Sequence, residues 1–100
     1  MTGDVLLRLT CATGDVDPLV DALRAVSAPP IHVRDEMVRG LDFADAGTAE
    51  RVTGALRRSA IELTVHDRDL DRLIDAAAGT RRRLPVRWIV LPVLRGGRIA

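Results

Sequence analysis

The fold of this chain is decided by residues 59–94, which read SAIELTVHDRDLDRLIDAAAGTRRRLPVRWIVLPVL. At the start of this segment apolar residues occupy every second position, a period typical of a strand with one face on a core. An apolar stripe at helical spacing comes next, followed by a basic loop and a second apolar run. The segment therefore predicts a strand, a helix, a loop and a strand in succession. The alternating strand positions are Ile61, Leu63 and Val65, and the helical stripe is Leu70, Leu73, Ile74 and Ala77.

Two residues predict where that helix begins and ends. Asp67 follows the strand and can accept hydrogen bonds from the free amides of a first helical turn, so we expect it at the N-cap. Gly79 follows the last residue of the stripe, where a glycine in the left-handed conformation commonly closes a helix. The helix is therefore expected between Asp67 and Gly79.

The second apolar run, residues 86–94, is apolar on both of its faces. A strand with two dry faces needs cover beyond the helices of its own chain. In a chain of 100 residues the expected cover is a second subunit. The pattern does not tell which of the two faces lies in that interface. Trp88 and Val90 lie on one face, and Ile89, Leu91 and Val93 lie on the other.

An earlier strand and helix precede this segment. Residues 5–10 alternate as a strand, and Leu6 on its second face suggests that this face is also partly covered. Asp17 is expected to cap a helix whose first position is Pro18, where the missing N–H has no cost. Residues 28–30, Ala-Pro-Pro, should end that helix because proline cannot continue one. The expected buried stripe is Leu19, Val20, Leu23 and Val26.

The middle of the chain is less regular. Residues 31–43 predict a second strand, broken near residues 35–36 and placed at a sheet edge, where charges and prolines discourage further pairing. Residues 44–58 fit either a helix capped by Thr48 or a mobile loop that flows into the next strand. Gly54 weakens the helix by roughly 1 kcal/mol, so we favour the loop.

The predicted order is strand, helix, strand, loop, strand, helix, strand. Two such units give an α+β fold, the ferredoxin-like sandwich (βαββαβ), with four antiparallel strands and two helices on one face. A chain of this length is enough for one core, so residues 1–100 are expected to form a single domain. The bare sheet face should be buried in an oligomer.

Composition excludes several classes of function. The chain has one Phe, one Trp and no Tyr, and its net charge is +1, so neither base stacking nor a global field predicts a nucleic-acid partner. All 15 basic residues are arginines, which excludes Schiff-base catalysis because that chemistry needs a lysine. No apolar run approaches the ~20 residues of a membrane span, and no signal-peptide pattern opens the chain. We therefore expect a cytoplasmic protein without membrane insertion.

Three segments resemble a known family. Residues 57–78, RRSAIELTVHDRDLDRLIDAAA, resemble the strand-then-helix half of PII-type signalling proteins. Residues 88–99, WIVLPVLRGGRI, resemble the closing strand of a small PII-like branch that is associated with heavy-metal efflux systems. Residues 49–58, AERVTGALRR, resemble the segment before the third strand in that branch. CutA-type cation-tolerance proteins share the architecture and are the nearest alternative relatives.

The resemblance implies a homotrimer whose open sheet faces line the interior, with ligands in the clefts between subunits. It implies a regulator that binds a small anion or nucleotide, signals through an effector loop at residues 42–57, and acts on a membrane transporter or efflux protein. Two features depart from true PII proteins: the loop before the last strand has a single glycine, and the effector-loop tyrosine is absent. The effector-loop candidates are Asp42, Thr48, Glu50, Arg51 and Arg57.

Arg81, Arg82 and Arg83 are the candidate anion site, with a nucleotide or another phosphate compound as the possible ligand. Planar guanidinium groups can grip phosphate or carboxylate in two-point fashion. The alternative is a solvated loop whose charges balance the C-terminal end of the helix.

Two further functions stay open. The first is a divalent-metal tolerance or sensor protein of CutA character, with Cys11, His32 and His66 as the candidate ligands, although their spacing matches no recognised site. The second is a small ferredoxin-like enzyme. We favour a protein that is not an enzyme, because no Ser–His–Asp or Cys–His arrangement is indicated and a fold alone does not imply a reaction.

Overall fold

A computed structural model describes residues 3–39 and 56–100, which contain four strands and two α-helices. A 3₁₀ turn precedes each of these helices, at Thr13–Asp15 and at Asp67–Asp69. None of the helices in this part of the chain is long and apolar enough to cross a membrane. The strands are β1 (Asp4–Cys11), β2 (His32–Val38), β3 (Leu56–His66) and β4 (Arg87–Pro92), and the helices are α1 (Val16–Val26) and α2 (Leu70–Ala78).

The four strands form one antiparallel sheet in the order β2-β3-β1-β4. The central pair is β3 and β1, and the two βαβ halves therefore interleave, as they do in a ferredoxin-like sandwich. This confirms the predicted α+β class and the βαββαβ order. The predicted edge position of the second strand is also confirmed, since β2 pairs on one side with β3.

The core lies between one sheet face and the two helices. Leu7 pairs with Leu63, and Leu9 pairs with Ile61, so the odd-numbered residues of β1 and β3 share a face. The predicted strand and helix stripes are confirmed, because their residues meet in this aliphatic cluster. Its fully buried members include Leu7, Leu9, Cys11, Leu19, Leu23, Ile61, Leu63 and Leu73, with Val20, Val26, Leu70 and Ile74 packed around them.

The other sheet face carries no helix of the described residues, and we call it the open face. Leu6 pairs with Leu91, and Arg8 pairs with Ile89, which places these four residues on it. Trp88 pairs with Leu9 and so belongs to the helix-covered face. Two of the apolar residues of the open face are well exposed in the single chain: Ile89 at 46% and Leu91 at 38%.

Both predicted N-caps are wrong. Asp17 is the second residue of α1, and Asp15 stands at the N-cap instead. Pro18 is still in the first turn, where its missing N–H has no partner to lose. Asp67 begins the 3₁₀ turn before α2, and Asp69 is the N-cap. In each case the 3₁₀ turn shifts the start of the helix away from the predicted residue.

Two boundaries in the middle of the chain are also corrected. The second strand is not broken near Asp35 and Glu36, because both residues pair continuously with β3. Arg57 lies in β3 rather than in a loop, since that strand begins at Leu56. Residues 56–58 of the predicted helix-or-loop segment likewise belong to β3. The rest of that segment, the rest of the predicted effector loop and the end of the predicted second strand lie in residues 40–55, outside the described residues.

Candidate functional site

The arginine-bearing loop between α2 and β4 spans residues 79–86. Thr80 closes the helix before it: its N–H donates to Ala77 O at 3.1 Å, and its hydroxyl donates to Ala76 O at 3.0 Å. Gly79 has φ −75° and is right-handed, so the predicted left-handed closure is wrong. Because Thr80 satisfies the last carbonyls of the helix, no left-handed residue is needed there.

Asp15 anchors the far end of this loop. Arg83 N donates to both carboxylate oxygens of Asp15 at 3.0 Å, and Leu84 N donates to Oδ2 at 3.2 Å. Asp15 is only 3% exposed. Hydrogen bonds to an ionised acceptor are about twice as strong as neutral ones, so a buried carboxylate from the start of α1 holds the backbone of the loop.

Sequence reasoning missed Asp15 because it assigned the capping role to Asp17. Both aspartates stand near the start of α1, but only one of them is buried. The available signal was Gly14-Asp15, a dipeptide typical of turns, directly before the apolar helix pattern. It indicates a turn aspartate, but it cannot show that the partner is 68 residues further along the chain.

The three candidate arginines do not converge on one point. The Arg82 side chain donates from Nε to Thr80 O at 3.2 Å and lines a groove of about 130 Å³ beside Trp88. The Arg83 guanidinium lies instead against Gly14, in the turn before α1. A Cβ added to that glycine would be 3.7 Å from the nearest guanidinium nitrogen. All three arginines are exposed. The loop therefore has a fixed backbone and spread guanidinium groups.

A cluster of polar side chains lies between the end of β1 and the edge strand β2. Ser59 is fully buried, and its hydroxyl donates to Asp35 Oδ1 at 2.9 Å and lies 3.2 Å from Thr13 Oγ1. The Cys11 thiol donates to Ser59 O at 3.7 Å. Burial raises the pKa of that thiol from 9.0 to about 11, the charge of Asp15 adds to the increase, and Arg58 opposes it. Cys11 is therefore an unreactive thiol at neutral pH.

A cavity of about 380 Å³ opens next to this cluster, at the ends of β2 and β3 that adjoin residues 40–55. It offers hydroxyl, carboxylate and guanidinium groups beside one thioether. Arg57, predicted as an effector-loop residue, is among its lining residues and pairs across the strands with Met37. The other lining residues are Thr13, Asp35, Glu36 and Arg58.

The open face carries a line of ion pairs. Glu62 is 9% exposed and is paired with Arg8 at 3.4 Å and with Arg34. Arg34 also reaches Glu36, with Nε 3.3 Å from Oε1. These charges lie beside the apolar residues of the same face, so the open face combines an ionic strip with an apolar strip.

The structure does not bring the three candidate metal ligands together. Cys11 is in the core, whereas His32 lies opposite Glu62 on the open face. His66 is at the end of β3, where Nδ1 accepts a hydrogen bond from Arg68 N at 3.2 Å. Within residues 3–39 and 56–100, no group of three or more His, Cys, Asp or Glu side chains is placed to hold a metal ion.

Comparisons with known proteins agree with this architecture. A crystal structure of a DUF3240 family protein from Shewanella baltica OS155 superposes with a TM-score of 0.79 and 17% identity, over 100% of both chains. The citrate-bound PII protein of Arabidopsis thaliana superposes with a TM-score of 0.66 and 14% identity, over 90% of this chain and 77% of that one.

At these identities the likeness is one of fold, and it confirms the PII-like fold that the sequence predicted. No curated protein matches the chain. The family model described as "Protein of unknown function (DUF3240)" matches residues 1–100. The chain therefore belongs to the DUF3240 family.

Proposed function

We propose that this protein is a PII-like regulator rather than an enzyme. It binds a small anion in clefts between the subunits of a cytoplasmic homotrimer and acts on a transporter or efflux protein. The observation that carries the proposal is the 79–86 loop. Its backbone is fixed by Asp15, while Arg81, Arg82 and Arg83 are exposed. A backbone that is already fixed needs no ordering when an anion binds to the exposed guanidinium groups it carries, which lowers the cost of binding.

Citrate is the first ligand to test. The A. thaliana PII protein of the same fold was crystallised bound to citrate. A tricarboxylate offers several two-point contacts to guanidinium groups. We therefore expect citrate to raise the melting temperature of this protein, since a ligand that binds only the native state stabilises it.

The binding test replaces Arg81, Arg82 and Arg83 together with alanine. The expected result is loss of the citrate-induced thermal shift with little change in the melting temperature without ligand, because exposed charges contribute roughly 1 kcal/mol or less each. The matched control replaces three other exposed arginines, which removes the same charge from other parts of the surface. They are Arg68, Arg95 and Arg98.

Equal loss of the shift in both triple variants would mean that net charge, and not this loop, attracts the anion. If citrate, phosphate and ATP give no shift in the parent protein, the proposed site does not exist. Divalent metals belong in the same screen, since a shift with metals alone would favour the CutA-type alternative.

The trimer is expected to use the open face. Ile89 is 46% exposed there in the single chain and shares the face with Leu6 and Leu91, and a contiguous exposed apolar patch commonly marks a protein–protein interface. Val33 has the same 46% exposure but pairs with Ile61 on the helix-covered side. Ile89→Glu should therefore dissociate the trimer, and Val33→Glu should leave it assembled. Light scattering at micromolar concentration measures both, and a monomeric parent would contradict the proposal.

The segment at residues 42–57 is the proposed contact with the regulated protein. Arg57 belongs to β3 and would act as the fixed end of that segment. Asp42, Thr48, Glu50 and Arg51 lie outside the described residues. Deletion of residues 44–52 should abolish binding to the target and leave the citrate shift intact, which separates the signalling segment from the ligand site.

A further inference from the structure

Two neighbouring backbone amides in the 79–86 loop converge on one carboxylate. Arg83 N lies 3.0 Å from both carboxylate oxygens of Asp15, and Leu84 N lies 3.2 Å from one of them. Successive N–H groups arranged in this way form a concave anion site, of the kind that holds phosphate in many loops. Here the anion in that concave site is a side chain of the protein itself.

Asp15 prevents any other anion from binding these two amides. Asp15 is 97% buried, as its 3% exposure shows, and both of its oxygens are used by the loop. The Arg83 guanidinium lies over the adjacent Gly14. A ligand phosphate can reach the two amides only if the Asp15 carboxylate leaves them.

We propose that Asp15 determines which anions this loop accepts, because its carboxylate fills the position that a ligand phosphate would take on the amides of Arg83 and Leu84. Polyphosphates gain much of their affinity at such loops from fixed backbone donors. With these donors occupied, a ligand is held by guanidinium groups alone, and these grip carboxylates as well as phosphates. Asp15 thus removes the advantage of a nucleotide over a small polycarboxylate. This inference rests on the proposed anion site.

The test compares pyrophosphate binding to the parent protein, Asp15→Ala and Asp17→Ala by calorimetry. Asp17 is exposed in the first turn of α1, so its replacement removes the same charge without freeing an amide. We expect Asp15→Ala to bind pyrophosphate at least ~10-fold more tightly than Asp17→Ala, since two amide donors become available. The NMR signals of the Arg83 and Leu84 amides should move with pyrophosphate in Asp15→Ala and stay in place in the parent.

Equal pyrophosphate affinity of folded Asp15→Ala and Asp17→Ala overturns the proposal, as does movement of the two amide signals in the parent. If Asp15→Ala does not fold, Asp15→Ser replaces it and Asp17→Ser becomes its control, because serine is uncharged and too short to fill the position between the two amides. A gain of roughly threefold for Asp15→Ser over Asp17→Ser supports the proposal in that case, and no gain overturns it. If the parent protein binds neither citrate nor pyrophosphate, that result contradicts the proposed function only. The comparison of the Asp15 variant with its Asp17 control still tests the role of Asp15.

Discussion

The two strand-to-helix junctions of this protein share a local design and differ in what they hold. The first runs from Cys11 at the end of β1 through a 3₁₀ turn to Asp15. The second runs from His66 at the end of β3 through a 3₁₀ turn to Asp69. Both aspartates stand at the N-cap, and neither side chain accepts a capping hydrogen bond from a backbone amide of its own helix. Asp15 is buried against a distant loop, whereas Asp69 accepts a hydrogen bond from Arg72, at 3.3 Å, on the surface.

This difference shows that an N-cap position fixes where a carboxylate stands but not what it binds. A carboxylate that does not cap its own helix is available to any backbone that the fold brings alongside. At the first junction that backbone is the 79–86 loop, and the contact links the start of α1 to the loop that leads into β4. At the second junction the partner is a side chain one turn away on the same helix.

The largest expected effect is the loss of stability on removing each aspartate. Asp15→Ala should lower the free energy of unfolding by about 3 kcal/mol, because three charge-assisted hydrogen bonds are lost and two amides lose their acceptor. Asp69→Ala should lower it by less than about 1 kcal/mol, since its ion pair is exposed. Urea denaturation at fixed protein concentration measures both changes. Equal effects would show that the two junctions are equivalent in stability.

The next effect concerns the cysteine of the first junction. The raised pKa of Cys11, from 9.0 to about 11, means that the folded protein favours the neutral thiol. The stabilising contribution is fully present below pH 9 and is lost as the pH rises from about 9 to about 11, by about 2 kcal/mol. The chain contains no Lys and no Tyr, so no other side chain is expected to titrate within that window.

Urea denaturation as a function of pH measures this loss. Cys11→Ala should have lower stability at neutral pH but no decline between pH 9 and 11. Asp15→Ala should keep the decline and shift its upper end to lower pH, because the charge of Asp15 contributes to the raised pKa. A decline that persists unchanged in Cys11→Ala would assign it to another group.

The smallest effect is expected at His66, the last strand residue of the second junction. His66 Nδ1 accepts a hydrogen bond from Arg68 N at 3.2 Å and caps the 3₁₀ turn. His66→Ala should lower the free energy of unfolding by about 0.5–1 kcal/mol, the usual range for a lost cap. His66→Asn keeps an acceptor at this position and should recover most of that loss. A loss above about 2 kcal/mol would indicate a contact beyond the turn.

Several features of this protein could be predicted from the sequence alone. The alternation of Leu7 and Leu9 and the stripe around Leu73 correctly predicted which side chains are buried, because the side-chain period of a strand or helix is a local property. The order of the elements then left the ferredoxin-like sandwich as the natural arrangement. The arginines of the 79–86 loop were also visible, since a run of charge between two apolar segments needs no partner to be recognised.

Only the tertiary structure decided how these parts meet. Asp15 and Arg83 are 68 residues apart, and a hydrogen bond between a side chain and a distant amide leaves no periodic signal in sequence. The assignment of Arg57 to a strand depended on pairing with Met37 across the sheet edge, which propensity alone does not specify. Local patterns report which face of an element is buried, whereas the partner of a buried polar group is set by the packing of elements that are remote in the chain.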